Sequence, residues 1–325
     1  MSPLPSSSRD IAGSHSPAAA NTFAEYIRLV HHLAQVNVAR LLAPLDGPQL
    51  EPFVSALEPV NAIADAAPGF VWRLQTEEGD ATSVRAFPDP DILVNMSVWT
   101  SVEALRAFVS HPDHVAVLRQ RRQFFEVPSE AYTTLWWVNA GHIPSVDEAK
   151  ERLEFLRTHG PSPWAFTFAH PEPPLTVTRV GLDDGDAQQL ISELNADIMA
   201  THAEGSHFWG LTAEEVSPGR GAFLVLHLHG EPVGCGAVRT IEPGVAELKR
   251  MFVKPVARNK KLGAVLVDGL EREARAVGAT RLLLETARYL EPAVRVYERA
   301  GFIPTEAWGE YVGSTDSYCM AKALG

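Results

Sequence analysis

Residues Val245 to Ala264 read VAELKRMFVKPVARNKKLGA, and this stretch decides the fold of the second half of the 325-residue chain. Ala246 to Val253 alternates and carries β-formers, so it reads as a half-buried strand. Pro255 stops the ladder, and a basic loop leads into an amphipathic helix. The first amides of a helix have no internal partner, and the helix dipole favours negative charge there. A diphosphate fits on Lys261, Leu262, Gly263 and Ala264, with Gly263 allowing close approach. Lys249, Arg250, Lys254, Arg258, Lys260 and Lys261 all lie here, which reads as a local anion site.

Working outward, the helix runs over Leu262 to Val277. It places Leu262, Val265, Leu266 and Leu270 on one face, pairs Glu271 with Arg275 on the other, and ends at Gly278. Upstream lie a strand at Leu175 to Val180, a helix at Asp184 to Thr201 and a helical turn after Thr212. Two strands, Ala222 to Leu228 and Pro232 to Thr240, are joined as a hairpin at Gly230-Glu231. Downstream lie a short strand at Leu282 to Glu285, a helix at Pro292 to Arg299 with Gly301 past its end, and a closing strand at Tyr318 to Ala321.

Arg258-Asn259-Lys260-Lys261-Leu262-Gly263-Ala264 resembles motif A of the GCN5-related N-acetyltransferases (GNAT), which runs Arg or Gln, two residues, Gly, any residue, then Gly or Ala. Tyr297-Glu298-Arg299-Ala300-Gly301-Phe302 looks like the Tyr-x-x-x-Gly-Phe helix end of the same family. The resemblance covers residues 175–325, the size of one domain. Lys261 replaces the first Gly of the loop, and Leu290 stands where many relatives have Asn. The resemblance implies a GNAT α/β domain in which the strands at Ala246 to Val253 and Arg281 to Thr286 splay apart to admit the pantetheine arm. It also implies acetyl-CoA as cosubstrate, held by Met251, Phe252, Val253, Arg258, Asn259, Lys260, Lys261, Leu262, Gly263 and Ala264. An unpaired strand edge can bond an extended amide chain as it would another strand.

Acetyl transfer needs an unprotonated amine, a stabilised oxyanion and a proton for the departing thiolate. Glu247 occupies the strand position where relatives often place a general base acting through water; a solvated carboxylate or an ion pair with Lys249 is the other reading. Tyr297 is the candidate acid, its phenol being protonated at neutral pH, and plain core packing of the ring is the alternative. His227 and His229 share a strand face without an acidic neighbour in sequence, so no metal is expected there. Cys235 reads as a small core residue. The expected function is direct transfer of an acetyl group to a primary amine of a small molecule or peptide. An acyl-CoA sensor without turnover is the alternative.

Residues 21–170 read as a β-α-β-β-α-β unit, the ferredoxin-like order, with an antiparallel sheet and helices on one face. A short helix at Phe23 to Leu29 precedes a strand at Leu33 to Arg40, a helix at Gln49 to Ala66, and strands at Phe70 to Leu74 and Ile92 to Thr100. A helix capped by Ser101 then runs through Gln123, burying Leu105, Phe108 and Val109. A strand at Tyr132 to Val138 and a helix at Asp147 to Thr158 follow, and Trp164 to Phe168 is a candidate last strand. Leu33-Ala34-Gln35-Val36-Asn37, Gly69-Phe70-Val71-Trp72-Arg73, Leu135-Trp136-Trp137-Val138 and Gly141-His142-Ile143-Pro144 resemble an uncharacterised family of dimeric α+β barrels related to antibiotic-biosynthesis monooxygenases. That resemblance implies a homodimer in which a second copy buries the open sheet face, and leaves an oxygenase-like activity as a further alternative.

No catalytic set is assigned to this half. His111 and His114 read as solvent-facing, Trp72, Trp99, Trp136 and Trp137 as core or interface, and Arg119, Arg121 and Arg122 as a solvated helix face. The overall class is α+β in two domains, with a disordered tail over 1–20 and a Pro-rich linker at 171–174 that few contacts are expected to cross.

The formal net charge is −12, divided as −7 over residues 1–170 (12 basic, 19 acidic) and −5 over the rest (16 basic, 21 acidic). That balance argues against nucleic acid as a partner. No apolar run is long enough for a membrane span, no signal peptide is evident, and two cysteines make no disulfide framework, so the expectation is a cytoplasmic protein.

Overall fold

The computed structural model describes residues 30–201 and 210–325. The expected tail over residues 1–20, the helix at Phe23 to Leu29 and residues 202–209 lie outside the described residues. Among the described residues no helix is long and apolar enough to cross a membrane.

In the first half, β1 (His31–Arg40), β2 (Phe70–Arg73), β3 (Ile92–Trp99) and β4 (Thr133–Asn139) form an antiparallel sheet in the order β2-β3-β1-β4. Alternation along β1 sends successive side chains to opposite faces. Leu33 joins Trp99, Leu135 and, from α2 (Val102–Val109), Leu105, with the end of α1 (Glu51–Asp65) contributing Ala64. Ala34, Val36 and Val38 pack instead with Met96, Trp136 and Leu153 of α4 (Val146–His159), joined by Val84 and Phe87. Both faces therefore carry helices of this chain, which corrects the expectation of helices on one face only.

The single helix expected from Ser101 to Gln123 is two. Ser101 does cap α2, its Oγ accepting from the Ala104 amide at 3.1 Å. Pro112 then starts α3 (Pro112–Phe124), and its ring pushes His111 into extended backbone, φ −61° and ψ 137°, which no helix can run through. Trp164 to Phe168 contributes three isolated bridges in place of a strand, Phe166 to Leu135 of β4, Ala165 to Ser162 and Thr167 to His170.

The second half is a seven-stranded sheet in the order β10-β11-β9-β8-β7-β6-β5. Its strands are β5 (Leu175–Val180), β6 (Gly221–Leu228), β7 (Glu231–Glu242), β8 (Val245–Val253), β9 (Arg281–Ala287), β10 (Ile303–Pro304) and β11 (Ser317–Ala323). On one face α5 (Gly185–Thr201) packs Leu190 and Leu194 on Phe223, Val225 and Cys235. On the other, α6 (Leu262–Ala276) buries Leu262, Val265, Leu266 and Leu270 on Leu224, Leu248 and Leu284, beside α7 (Glu291–Arg299). Glu271 pairs with Arg275 at 3.5 Å as expected, is only 5% exposed, and accepts a further hydrogen bond from Lys322 on its Oε1 at 2.5 Å. The hairpin turn is His229-Gly230, one residue earlier than expected, with φ 56° and 81° as a type I′ turn requires.

The two halves share a core, so the linker is crossed by many contacts. Helix α4 is apolar on two sides: Ala149 and Leu153 face the first sheet, while Phe155 and Leu156 join Trp164, Ala165, Leu266 and Leu270 in the core of the second half. Arg152 lies 3.2 Å from the centre of the Trp164 ring and donates to its carbonyl at 2.9 Å. Burial lowers this guanidinium to about 9. Glu151 pairs with Arg272 at 3.6 Å, and His159 stands 3.9 Å from Asp268.

Asp268 gives this junction a pH signature. Burial foremost, with Glu271 adding to it, raises its carboxyl to about 6. The native state thus keeps a proton that the unfolded chain releases near pH 4, so stability falls as pH rises from about 4 to 6 and stays at the lower level above that. Asp268→Asn should flatten this slope and raise stability at pH 7 by about 1 kcal/mol, a figure discounted for a side chain one-third exposed. Urea unfolding at pH 4.5 and 7, values chosen to bracket about one raised carboxyl, measures both effects.

Candidate active site

Strand β8 is paired with β7 along its length but with β9 only from Val245 to Leu248, opposite Arg281 to Leu284, in parallel. Beyond Leu248 the strands part. The cause is a bulge: the register with β7 shifts between Cys235↔Phe252 and Ala237↔Lys249, so Arg250 and Met251 together oppose Gly236. Arg250 carries a φ of 56°, and such an insertion bends its strand. A Cβ on Gly236 would lie 2.6 Å from Met251 Sδ and 2.8 Å from Leu270 Cδ1, so a larger residue there would displace the ends of both side chains.

After β8 the chain turns through a 3-10 segment, Pro255–Ala257, into the loop that starts α6. Asn259 and Lys261 both adopt left-handed backbone, φ 65° and 61°. The loop thus keeps the conformation glycine would favour, although lysine occupies the place. The Ala264 and Val265 amides close on the Lys261 carbonyl, and the first-turn amides of Leu262 and Gly263 have no carbonyl four residues back inside the helix. A Cβ on Gly263 would meet only Val296, at 3.5 and 3.6 Å.

The six cations of this stretch do not act as one cluster. Lys249 is buried, donating to Glu310 at 3.0 Å and Tyr311 at 2.9 Å. Arg250 donates to Asn195 at 2.9 Å, and Lys254 pairs with Glu193 at 2.9 Å. Those remaining beside the start of α6 are Arg258, which bonds the Val253 carbonyl at 3.1 Å and Asp197 at 3.0 Å, Lys260, which stands 3.8 Å from Glu172, and Lys261. Phe252 turns its ring into the core under α5 and offers the parting only its backbone.

Glu247 is fully buried and engaged on both oxygens. Arg239 Nε donates to Oε2 at 2.7 Å, the Tyr311 hydroxyl donates to Oε1 at 2.6 Å, and Lys249 stands at 3.8 Å. Arg239 also pairs with Glu215 at 2.5 Å. The carboxylate is not solvated; the expected ion pair with Lys249 is present, and Arg239 and Tyr311 already occupy the two oxygens that a catalytic water would need. The carboxylate ties the loop carrying Glu215 to the loop carrying Glu310 and Tyr311. Arg239, Tyr311, Glu215 and Glu310 gave no signal in the sequence, since they come from three separate segments and none sits in a motif.

Tyr297 is buried in the α6 and α7 core, edge-on to Phe302 at 6.1 Å between ring centres. Its hydroxyl makes no hydrogen bond among the described residues. Burial, then the Glu285 charge, pushes the phenol well above its usual value, so it stays protonated throughout the working range. An alkaline limb in a rate profile therefore cannot come from Tyr297.

Cys235 is buried, its thiol pushed up to about 12 by burial and its Sγ 3.6 Å from the Arg250 carbonyl, as befits an inert core residue. His227 pairs with Asp186 at 2.9 Å, an acidic neighbour that only the fold supplies. His229 belongs to the hairpin turn and does not share a strand face with it. Among the described residues no three His, Cys, Asp or Glu side chains gather as a metal site. In the first half, Trp99 and Trp136 are wholly buried, and His114 packs on Phe108 with Nδ1 3.1 Å from the Val109 carbonyl, so it is not solvent-facing.

Two strands part beside a helix N-terminus on a seven-stranded mixed sheet, the arrangement the acetyltransferase resemblance implies. Residues 191–302 match the acetyltransferase (GNAT) family, and residues 32–180 match a domain of unknown function, DUF3291. An "IAA acetyltransferase" of Azospirillum brasilense is 36% identical over 47% of this chain and 99% of its own length. An uncharacterised N-acetyltransferase of Schizosaccharomyces pombe is 39% identical over 28% of this chain and 57% of its own length. A solved GNAT family acetyltransferase from Elizabethkingia anophelis, with acetyl-CoA bound, is 15% identical over 46% of this chain and 98% of that one, with a TM-score of 0.34. Through its C-terminal half the chain belongs to the acetyltransferase (GNAT) family.

The left-handed lysine has a measurable consequence. Lys261→Gly relieves a Cβ clash and adds glycine's entropy loss, for a net gain of about 0.5–1 kcal/mol. A higher urea midpoint with unchanged slope is the expected result.

Proposed function

We propose that the protein moves an acetyl group from acetyl-CoA directly to the primary amine of a small molecule or peptide. The observation that carries this is the end of β8–β9 pairing at Leu248 and Leu284. Past that point the β8 backbone at Met251, Phe252 and Val253 is available to bond the amides of the pantetheine arm as a further strand. The diphosphate rests on the first amides of α6, at Leu262, Gly263 and Ala264, with Arg258, Asn259, Lys260 and Lys261 around it. The thioester then lies in the parting, near the start of α7.

The lone pair of the neutral amine attacks the thioester carbonyl. The C–N bond forms, the C–S bond breaks, and the sulfur leaves as thiolate. Tyr297 donates its proton to that sulfur, and the proton lost by the new ammonium returns through solvent to the phenolate. Glu247 has no part in proton transfer, because Arg239 and Tyr311 occupy it; its task is to hold the loops of Glu215 and Glu310 at the acceptor side. For the first half, the antiparallel order β2-β3-β1-β4 supports a ferredoxin-like arrangement, with α4 added on the second face.

Gly263→Glu tests the cofactor site. Its Cβ meets only ordinary contacts, so the fold survives, while the added carboxylate repels the diphosphate. Calorimetry should show acetyl-CoA affinity falling by at least about 100-fold, that is by about 3 kcal/mol. Affinity equal to wild type would place the diphosphate elsewhere.

Tyr297→Phe separates chemistry from binding. Packing is kept, so acetyl-CoA affinity should hold while kcat falls about 100-fold. Normal turnover in this variant would pass the acid role to water.

A further inference from the structure

On the face of the first sheet opposite α4, helices α1 and α3 stand away from the strands and leave a cavity of about 200 Å³. Its floor includes Asn37 and Asn95, which face each other across β1 and β3. Asn95 is exposed although it lies mid-strand in the middle of the sheet, and neither side-chain amide makes a hydrogen bond among the described residues. The walls are Phe53, Leu57 and Val60 of α1 and Val117 and Leu118 of α3. Both helices turn apolar side chains toward this space, yet α1 buries only Ala64 and α3 only Phe124. An apolar wall left half-exposed over an unpaired polar floor is the form of a ligand site.

Charge narrows the ligand. Arg73 is neutralised by Asp65 at 2.8 Å, and Asp80 is occupied by the amide and hydroxyl of Thr82 at 2.8 and 2.6 Å. His114 holds the Val109 carbonyl, and burial lowers it further from the charged form. Arg121, on the last turn of α3, lines the same cavity with no ion pair among the described residues. One uncompensated cation and three free amides, those of Asn37, Asn95 and Asn61 of α1, remain among the described residues. A dry cavity of roughly 150 Å³ already holds a benzene ring.

We propose that this cavity binds a small apolar carboxylate, its ring-sized body between α1 and α3 and its acid group on Arg121 and the Asn37 and Asn95 amides. The site is separate from the acetyl-transfer centre: it lies on the sheet face turned away from α4, the helix that joins the halves.

Calorimetry on the full chain with benzoate, benzamide and toluene tests it. Benzoate should bind saturably with a Kd of about 1 mM or tighter, and benzamide about tenfold more weakly. Arg121→Gln should reduce benzoate to the benzamide level. Leu57→Trp should abolish both by filling the space. Asn37→Asp, which adds a charge without bulk, should weaken benzoate and spare benzamide, and so keeps the test open if Leu57→Trp fails to fold. Three results overturn the proposal. One is no saturation with benzoate up to about 10 mM. Another is equal affinity for benzoate and benzamide in the unsubstituted protein. The last is a dimer in sedimentation that Leu57→Trp breaks, which would make a second copy the occupant.

Discussion

The second half of this protein depends on a hydrogen-bond ladder that stops. Four residues of β8 pair with β9, and then an insertion opposite Gly236 bends β8 away. The bend leaves backbone donors and acceptors unpaired in the middle of a sheet, a costly state unless something else bonds them. An extended diamide satisfies that requirement in the manner of a strand, and the helix that starts ten residues later supplies the anion-binding end. In the proposed function, one local distortion thus positions both parts of the coenzyme.

The sheet face under α5 carries a second constraint. Glu247 and Lys249 point into the same buried region, and an isolated charge there would be strongly disfavoured. Arg239 and Tyr311 close on Glu247, while Glu310 and Tyr311 close on Lys249. Because Glu310 and Tyr311 come from one loop and Arg239 of β7 also holds Glu215 from another, neutralising the buried charges also fixes both loops. The strand residue expected as a general base, Glu247, is held here by the same charge network.

The two halves are joined through a helix with two apolar sides. Ala149 and Leu153 belong to one core, Phe155 and Leu156 to the other, and Arg152 is held flat on Trp164 between them. A proline-rich connection does not make two halves independent when a helix before it already serves both. Strain at Lys261 and the raised Asp268 carboxyl both lie close to this junction, where His159 meets Asp268.

The sequence by itself determined the strand from Ala246 to Val253, the glycine at the start of α6, the caps at Ser101 and Gly278, and the order of elements in both halves. These are local: alternation, an unpaired helix end and a residue free to take positive φ each act within a few positions. The split at Pro112 was also written there, because a proline forces the residue before it out of the helix. Tertiary structure alone decided the rest. Which partner a charge meets is set by packing of segments far apart in the chain, so Lys249 left the anion site, Glu247 became a tie between loops, and Asp186 appeared beside His227. Whether a sheet face stays open is decided the same way: nothing in β1 or β4 says that α4 will return to cover Ala34 and Val36. The cavity over Asn37 and Asn95 exists only because two helices stop short of the sheet. Spacing within one segment cannot encode a distance between three.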